Sequence, residues 1–412
     1  MTSATAQGRP PAGGPSPAPQ PIPGGRPPER NAPAQRLRPA SGRPGEFGTV
    51  QLVAIEVSAV AVGAAVFSGN PVAIGVGAAV AVGALAVGLS RSGGRWVYQS
   101  LGLRAAVRRR RKAGAAALPA PAFEVYGYDD RGTELGIGQD RDGWFIAIAV
   151  GGADEILGRR RPALRLDRLL RLLDEGTARP SALQLASLRT LAPATGPAPN
   201  SAAANSYREL LALTTGRQTG PAAHLTWVAA RLDAADAIEA AADRGGGVDG
   251  VHRALAAMAG RLGKALNTAG VPYQILDAAA LTAAVHASCG LDGLPDGAPV
   301  TARERWQGWH AAGREHIAFE VEQWPASFDP AAVQALMNVP AEHLAVSVVA
   351  ARRGAAVGLR TVVRVMAAPD RLAAAVGTVR EYTKTLGIKL RPMHGQHQPA
   401  VYASAPTGGG TP

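Results

Sequence analysis

The stretch Leu52–Leu89, LVAIEVSAVAVGAAVFSGNPVAIGVGAAVAVGALAVGL, contains a single charged residue, Glu56. A helix that spans a bilayer needs about 20 apolar residues, so this stretch is too long for one spanning helix and long enough for two. Gly69-Asn70-Pro71 interrupts it near the middle with residues that favour a turn and then a helix start. We therefore predict two transmembrane helices, at about residues 49–68 and 71–90. A cleaved signal peptide, the main alternative, would contain only about 7–15 apolar residues.

The net charge of +12 is concentrated on both sides of this predicted hairpin. Residues 1–48 and 91–112 together contain fourteen Arg and Lys and only two Glu, while the turn between the helices carries no charge. A nucleic-acid-binding protein would instead carry its basic excess on the folded domain, so no nucleic-acid partner is expected. By the positive-inside rule, both termini are predicted to lie in the cytoplasm, which makes the chain a multi-pass protein of the bacterial cell membrane.

Small side chains recur on one face of each predicted spanning helix. A spacing of about four residues allows another helix to approach closely, although a chain rich in Ala, Gly and Val would also produce such a pattern by composition alone. Glu56 lies about two turns inside the first helix, where it either reaches the headgroups or pairs with a partner helix. The predicted packing residues are Ala59, Gly63, Gly75, Ala79 and Gly83.

A basic and aromatic segment directly follows the second spanning helix. Trp and Tyr favour the membrane interface, and anionic lipid headgroups attract clustered Arg and Lys, each by about 1 kcal/mol. We therefore predict that this segment anchors the chain at the cytoplasmic face, with anionic lipids as partners. The predicted anchor residues are Arg95, Trp96, Tyr98, Arg108, Arg109, Arg110, Arg111 and Lys112.

Composition divides the rest of the chain. Residues 1–48 contain twelve prolines and few large apolar residues, so they are predicted to form a disordered tail. Residues 91–122 comprise the basic segment and an Ala/Pro-rich linker. Residues 123–404 form a cytoplasmic domain, and residues 405–412 a second disordered tail.

The cytoplasmic domain alternates strand and helix patterns. Two β-hairpins are expected, with turns at Asp140-Arg141-Asp142-Gly143 and Arg352-Arg353-Gly354. A long amphipathic helix is expected at about residues 249–269, and a last strand near Pro399–Ala403. This mixture indicates an α+β fold with mixed or antiparallel sheets. The second part of this domain repeats the alternation of strands and helices seen in the first, which suggests two sublobes divided near residues 290–300.

Known catalytic patterns are not matched. The glycine-rich run Arg244–Gly250 opens a helix and could cradle a phosphate, but it lacks the Lys and Ser/Thr of a P-loop. His394 and His397 share a loop without the Cys or acidic partners of a metal site. Asp140 and Asp142 fit a hairpin turn better than an acidic pocket. We therefore expect no catalytic residue, metal or cofactor.

Arg303, Arg305, Trp306 and Trp309 form the most unusual cluster in the domain. Basic residues among Trp can stack on bases or sugars. The same pattern would also arise in an amphipathic segment that buries Trp306 and Trp309 against a sheet. We treat these four residues as a candidate partner surface.

Several short motifs follow the hairpin in order. They are Gly94–Tyr98 with the arginine run after it, Tyr207–Leu210, Thr226–Leu232, Arg244–Gly247, Arg303–Trp306, Trp324-Pro325 and Gly395–Tyr402. Taken together, over about residues 50–406, they resemble EccE, a membrane component of the actinobacterial type VII (ESX) secretion system. The proline-rich tail goes beyond this resemblance.

The resemblance implies a non-enzymatic structural subunit. It would assemble with EccB, the ATPase EccC and EccD to export WXG100-type proteins, and ATP hydrolysis would belong to EccC. Two alternatives stay open. One is a membrane-anchored enzyme that acts on a nucleotide or sugar, and the other is a membrane-tethered adaptor outside any secretion complex.

Overall fold

A computed structural model describes most of the chain from Arg38 onward. The described residues are 38–39, 48–92, 95–112, 123–151, 166–174, 178–191, 202, 205–206, 209, 213, 222–292, 302–325, 330–337, 339, 341, 343–353 and 356–410. Within them the helices are α1 (Thr49–Phe67), α2 (Pro71–Leu89), α3 (Val97–Lys112), α4 (Leu166–Arg171), α5 (Ala234–Ala242), α6 (Gly247–Thr268), α7 (Ala278–Cys289), α8 (Pro330–Met337), α9 (Leu372–Thr385) and α10 (His397–Ser404).

The strands belong to one large sheet and one small hairpin. They are β1 (Arg38–Pro39), β2 (Arg91–Ser92), β3 (Arg95–Trp96), β4 (Glu124–Asp130), β5 (Thr133–Asp140), β6 (Gly143–Val150), β7 (Ala182–Leu191), β8 (Ala222–Asp233), β9 (Tyr273–Ile275), β10 (Ala302–Glu304), β11 (Trp309–Ala311), β12 (Arg314–Gln323), β13 (His343–Arg353), β14 (Ala356–Ala367) and β15 (Lys389–Pro392). The mixed α+β composition is therefore confirmed.

Helices α1 and α2 match the two predicted spanning helices to within one residue at each end. Asn70 begins α2 by accepting a hydrogen bond from the Val72 N–H at 2.9 Å, and Pro71 occupies the first helical position. Both helices are long and apolar enough to cross a membrane by length and composition, with mean hydropathies of 2.1 and 2.3.

The two helices pack against each other through small residues. A Cβ added at Gly77 would lie 2.5 Å from the Cβ of Ala65, and one at Gly88 would lie 2.5 Å from that of Ala54. The Ser58 hydroxyl donates to a carbonyl of α2 at 3.2 Å. This contact line, the hairpin seam, requires glycine at both α2 positions because any side chain there would force the backbones apart.

The large sheet has the strand order β10-β11-β12-β14-β13-β7-β8-β6-β5-β4, with β1, β9 and β15 paired beside this path. Read outward from the centre, β13-β14-β12-β11-β10 and β7-β8-β6-β5-β4 are the same arrangement. The central β7–β13 ladder pairs Ala186 with Ser347. The strand pairing that starts from these two residues has the same register in both halves. In the first half Ala186 pairs with Trp227 and Trp227 with Ala149, and in the second half Ser347 pairs with Val362 and Val362 with Glu320. Ala149 and Glu320 occupy equivalent positions, because each is the seventh residue of its strand.

The domain is therefore built from two topologically equivalent halves. The first runs from β4 to α7 and the second from β10 to α10. Because one sheet continues through both halves, the predicted division into two sublobes near residues 290–300 is not confirmed, and residues 293–300 lie outside the described residues.

Helices cover both faces of the sheet. Side chains alternate along each strand, so Ile146 and Ile148 belong to the core cluster that also contains residues of α4, α5, α6, α8 and α9, whereas Phe145 and Ala147 belong to the cluster with residues of α7 and α10. Arg364 is fully buried on the α7/α10 face, where its guanidinium contacts His316 Nδ1 at 3.0 Å. Burial lowers the pKa of Arg364 to about 10.

Two terminal predictions need correction. The strand expected near Pro399–Ala403 is helix α10, because Gly395 adopts a positive φ of 72° that turns the chain and Pro399 fits the first helical turn. In the N-terminal segment, Arg38–Pro39 pair in parallel with β14, while the other residues of 1–47, and with them the rest of the predicted disordered tail, lie outside the described residues.

Residues 405–410 are buried except for Gly409, which is half-buried, although the sequence predicted a disordered tail. The Gln184 amide donates to the Ala405 carbonyl at 2.9 Å and accepts from the Gly409 N–H at 3.0 Å. Arg231 donates to the Thr407 carbonyl at 3.3 Å and forms a buried ion pair with Asp140 at 2.6 Å. Polar side chains of the sheet thus satisfy the tail backbone, which local sequence patterns do not reveal.

Burial by itself would raise the pKa of Asp140. The hydrogen bonds and charge of Arg231 outweigh this effect, together with the Tyr402 hydroxyl at 2.7 Å, and the pKa falls below its usual value. The turn carboxylate therefore serves the fold, since it links the β5–β6 turn to α10.

Replacement of Gly409 by Ala tests the buried tail. Gly409 has φ of 78°, and an added Cβ would lie 2.5 Å from Val349 Cγ2. Gly313→Ala is a matched control, because Gly313 has φ of 73° but no atom within 4 Å of an added Cβ. We expect Gly409→Ala to lose about 1–3 kcal/mol more unfolding free energy than the control. Urea denaturation of both variants would measure this difference, and equal losses would contradict burial of the tail.

Candidate functional site: the clasp between α3 and the β10 edge

Helix α3 starts close to the hairpin formed by α1 and α2. Only residues 90–96 separate it from α2, and they include the short β2–β3 pair. Four basic residues occupy its last turn, where they favour the negative end of the helix dipole. Val107 is buried, whereas Arg108, Arg109 and Lys112 are exposed. One face of α3 therefore contacts the α+β domain.

Arg110 makes the central contact of this face. Its guanidinium donates to Glu304 Oε2 at 2.7 Å and to Oε1 at 3.0 Å, and also to the Gly395 carbonyl at 2.7 Å. The Glu304 side chain is only 3% exposed, and that of Arg110 is 30% exposed. A two-pronged arginine–carboxylate contact fixes orientation as well as distance, so it sets the position of α3 on the sheet edge.

Two further basic residues extend the contact. Arg111 Nε donates to the Glu304 carbonyl at 2.8 Å. Arg95 donates to the His394 carbonyl at 3.2 Å and to Gln396 Oε1 at 2.7 Å. Burial, followed by the nearby positive charge of Arg391, lowers the pKa of Arg95 to about 10.

The remaining contact is aromatic. Trp306 stacks on His394 with ring centroids 6.1 Å apart. The guanidinium of Arg104, on α3, lies 5.3 Å from the centroid of the Trp306 ring. An added Cβ at Gly395 would lie 2.5 Å from Trp306, so glycine is required for this approach. We call the whole contact the clasp, formed by Arg95, Arg104, Arg110 and Arg111 on one side and Glu304, Trp306 and His394–Gln396 on the other.

The clasp changes the interpretation of the predicted surface cluster. Trp309 is 1% exposed and packs edge-on against His316 at 4.8 Å, so its prediction as a surface residue is wrong. Trp306 is half-buried beneath α3. Arg303 and Arg305 are exposed, and Arg305 pairs with Glu315 at 3.2 Å. Only the two arginines therefore stay available as a partner surface.

Sequence reasoning missed Glu304, the acceptor at the centre of the clasp. A signal was present, because side chains alternate along β10 and a Glu between Arg303 and Arg305 must point away from Arg303. Its burial depends on α3 and α10, however, which are distant in sequence. Gly395 and Gln396 were noted only as part of a motif.

The predicted lipid anchor is divided by the clasp. Arg95, Arg110 and Arg111 contact other groups of the protein. The Arg91 guanidinium carbon lies over the Trp96 ring, 4.0 Å from its centroid. Tyr98 is half-buried. Lipid contact stays a prediction for the exposed residues Arg108, Arg109 and Lys112.

The predicted membrane packing residues point away from the hairpin seam. Added Cβ atoms at Gly63, Gly75 and Gly83 would meet no atom within 4 Å, and Ala59 and Ala79 are exposed. These five residues therefore lie on outer faces of the hairpin, and their packing against other helices stays a prediction.

The candidate catalytic residues have structural contacts. His397 is buried and accepts a hydrogen bond from the Ala318 N–H at 3.1 Å; burial lowers its pKa to about 3. Burial and Arg95 lower the pKa of His394. Asp142 lies in the β5–β6 turn, where its N–H donates to Asp140. Among the described residues, no group of three or more His, Cys, Asp or Glu could hold a metal ion.

The clasp predicts different effects for adjacent arginines. Arg110→Ala leaves the buried Glu304 without its cation and should cost about 1–3 kcal/mol of unfolding free energy. Arg109→Ala, a control on the exposed face, should cost less than about 0.5 kcal/mol. Denaturation and hydrogen exchange of α3 in the purified protein would measure both. Equal protection of α3 in the two variants would show that the ion pair does not hold the helix.

Comparison with known families supports the sequence resemblance. Residues 220–321, about a quarter of the chain, match the family described as "Putative type VII ESX secretion system translocon, EccE". The matched segment includes β8, α6 and the β10–β12 edge, and therefore Glu304 and Trp306 of the clasp. No curated protein matches the chain. The family match confirms the resemblance to EccE over this quarter of the chain.

Proposed function

We propose that this chain is a non-enzymatic structural subunit of the type VII secretion membrane complex and supports export of WXG100-type proteins. The match of residues 220–321 to EccE carries the proposal. The two long apolar helices support a membrane location, and the clasp suggests what the subunit does physically.

The clasp couples the hairpin to the cytoplasmic domain. The connection between α2 and α3 is short, and Arg110 and Arg111 bind Glu304 at the sheet edge. A domain held in this way is presented to its partners in one orientation. Weak contacts between subunits then suffice, because tethering raises the effective concentration and preorganisation lowers the entropic cost of binding.

The partners proposed are EccB, the ATPase EccC and EccD, with ATP hydrolysis assigned to EccC. Arg108, Arg109 and Lys112 lie on the exposed face of α3, where anionic lipid headgroups would attract them. Nucleic acid is not a proposed partner, since the basic residues flank the apolar hairpin.

The proposed topology places both termini in the cytoplasm and only the turn near Asn70 outside. Basic flanks on both sides of an uncharged turn motivate it. Alkaline phosphatase is active only outside the cytoplasm, so a fusion inserted at Asn70 should be active and one at Gly114 inactive. The opposite pattern of activities would refute this orientation.

The outer faces of the hairpin provide the test of assembly. In a deletion strain, the wild-type chain should co-purify with EccB, EccC and EccD and restore secretion of WXG100-type proteins. Gly83→Leu should weaken co-purification several-fold, because a larger side chain holds the partner backbone away while the helix stays apolar. Val82→Leu, a bulk change at another exposed position, should have no effect.

Gly77→Leu separates damage to the hairpin from loss of a partner. An added Cβ at Gly77 already lies 2.5 Å from Ala65, so this variant should disturb the hairpin itself and lower its protease resistance. Gly83→Leu should retain full resistance. If the wild-type chain neither co-purifies with the three proteins nor restores secretion, the proposed function is wrong.

A further inference from the structure

Glu56 lies on the side of α1 opposite the hairpin seam. The buried residues of α1 are Gln51, Ser58 and Ala65, spaced seven residues apart along the seam. At about 100° per residue, Glu56 points about 160° away from Ser58. Its side chain is exposed on the outer surface of a helix that is long and apolar enough to cross a membrane.

Within the part of the chain that the structure describes, no cation pairs with Glu56. Between Arg43 and Arg91 the sequence contains no Lys, Arg or His. Glu56 forms no side-chain hydrogen bond or ion pair with the part of the chain that the structure describes. It also lies about 10 Å along the axis from Thr49, the first residue of α1. Long Lys and Arg side chains reach the interface from such a depth, but a Glu side chain is shorter.

The surroundings of Glu56 suit a neighbouring helix. Ala59 and Gly63 follow at three and seven residues and therefore lie on the same face. An added Cβ at Gly63 would meet no atom within 4 Å, so a partner backbone has room to approach. Phe67, at the far end of this face, is 95% exposed. Charge, space and exposed apolar area thus coincide on one outer face of the hairpin.

The Glu56 carboxylate limits which partners can bind to this outer face of α1. A second copy of this chain that used the same face would bring two Glu56 carboxylates together, which their repulsion opposes. Lipid tails provide no hydrogen-bond donor. A Lys or Arg on a neighbouring helix supplies both a donor and a compensating charge, as ionisable groups within membranes usually require.

We propose that the outer face of α1, formed by Glu56, Ala59, Gly63 and Phe67, binds a transmembrane helix of another protein that carries a Lys or Arg facing Glu56. The inference rests on the proposed function, because it requires α1 to span the membrane. It adds the chemistry that the partner helix must have at a stated depth.

Photo-cross-linking in the membrane tests this directly. Benzoylphenylalanine replaces Val60, which is 65% exposed and one turn from Glu56, in the full chain in cells that contain the complete secretion system. The same probe at Val82 of α2, 67% exposed, is the control for general lipid-facing contacts. Mass spectrometry then identifies the cross-linked segment. We expect a transmembrane helix of a different protein with a Lys or Arg within one turn of the cross-linked residue.

Charge variants identify the role of Glu56. Glu56→Gln should reduce the Val60 cross-link about tenfold or more, Glu56→Lys should abolish it, and Glu56→Asp should retain most of it. Reversing the partner's basic residue to Glu should restore the cross-link in Glu56→Lys. The Val82 cross-links and the amount of inserted protein should not change in any variant.

Other outcomes would overturn the inference. They are a Val60 cross-link to lipid only, to a second copy of this chain or to a helix without a basic residue, and full cross-linking in Glu56→Gln. In those cases the wild-type chain could still co-purify with EccB, EccC and EccD, so the proposed function would stand. Conversely, a basic helix from a protein outside the secretion system would support the inference and contradict the proposed function.

Discussion

The ion pair between Arg110 and Glu304 is the contact on which the position of the domain depends. Glu304 is buried at the sheet edge, and a buried carboxylate requires a compensating charge and hydrogen bonds. Both come from α3, 194 positions earlier in the chain, together with a hydrogen bond from Arg110 to the Gly395 carbonyl. Because only the seven residues 90–96 separate α3 from α2, the same contact fixes the domain relative to the hairpin.

The clasp also distinguishes the two ends of an otherwise symmetric sheet. The halves share the same strand order about the Ala186–Ser347 pair, but different elements cover their edge strands. At the β10 edge, α3 packs over the end of the sheet. At the other end, β4 pairs only with β5 among the described strands. The contact with α3, and through it with the hairpin, therefore belongs to one half of the sheet.

Buried polar groups join the two halves on the α7/α10 face. Gln184 of the first half contacts Ser347 of the second at 2.8 Å and also the tail of residues 405–410. The Arg231–Asp140 pair adds a charged link to the same tail. Asp140, which resembled a catalytic candidate, is used in these contacts, and His397, another, accepts a hydrogen bond from the Ala318 N–H. A structural role thus accounts for side chains whose types alone would fit an active site.

Local sequence determined the elements whose signals are short-range. The charge-poor stretch with its Gly-Asn-Pro break gave α1 and α2 to within a residue, and the Asp-Gly turn gave the β5–β6 hairpin. Tertiary structure decided what long-range contacts control. Trp309 became core because it belongs to the cluster that includes Val285 of α7 and Val401 of α10, whereas Trp306 became an interface residue because α3 and the loop before α10 pack on it. Residues 405–410 became buried because Gln184 and Arg231 satisfy their backbone, and Pro399–Ala403 became helix although Val and Tyr favour strands. For Trp306, Trp309 and residues 405–410 the deciding partners lie far away in the sequence, where no local pattern or spacing can reveal them.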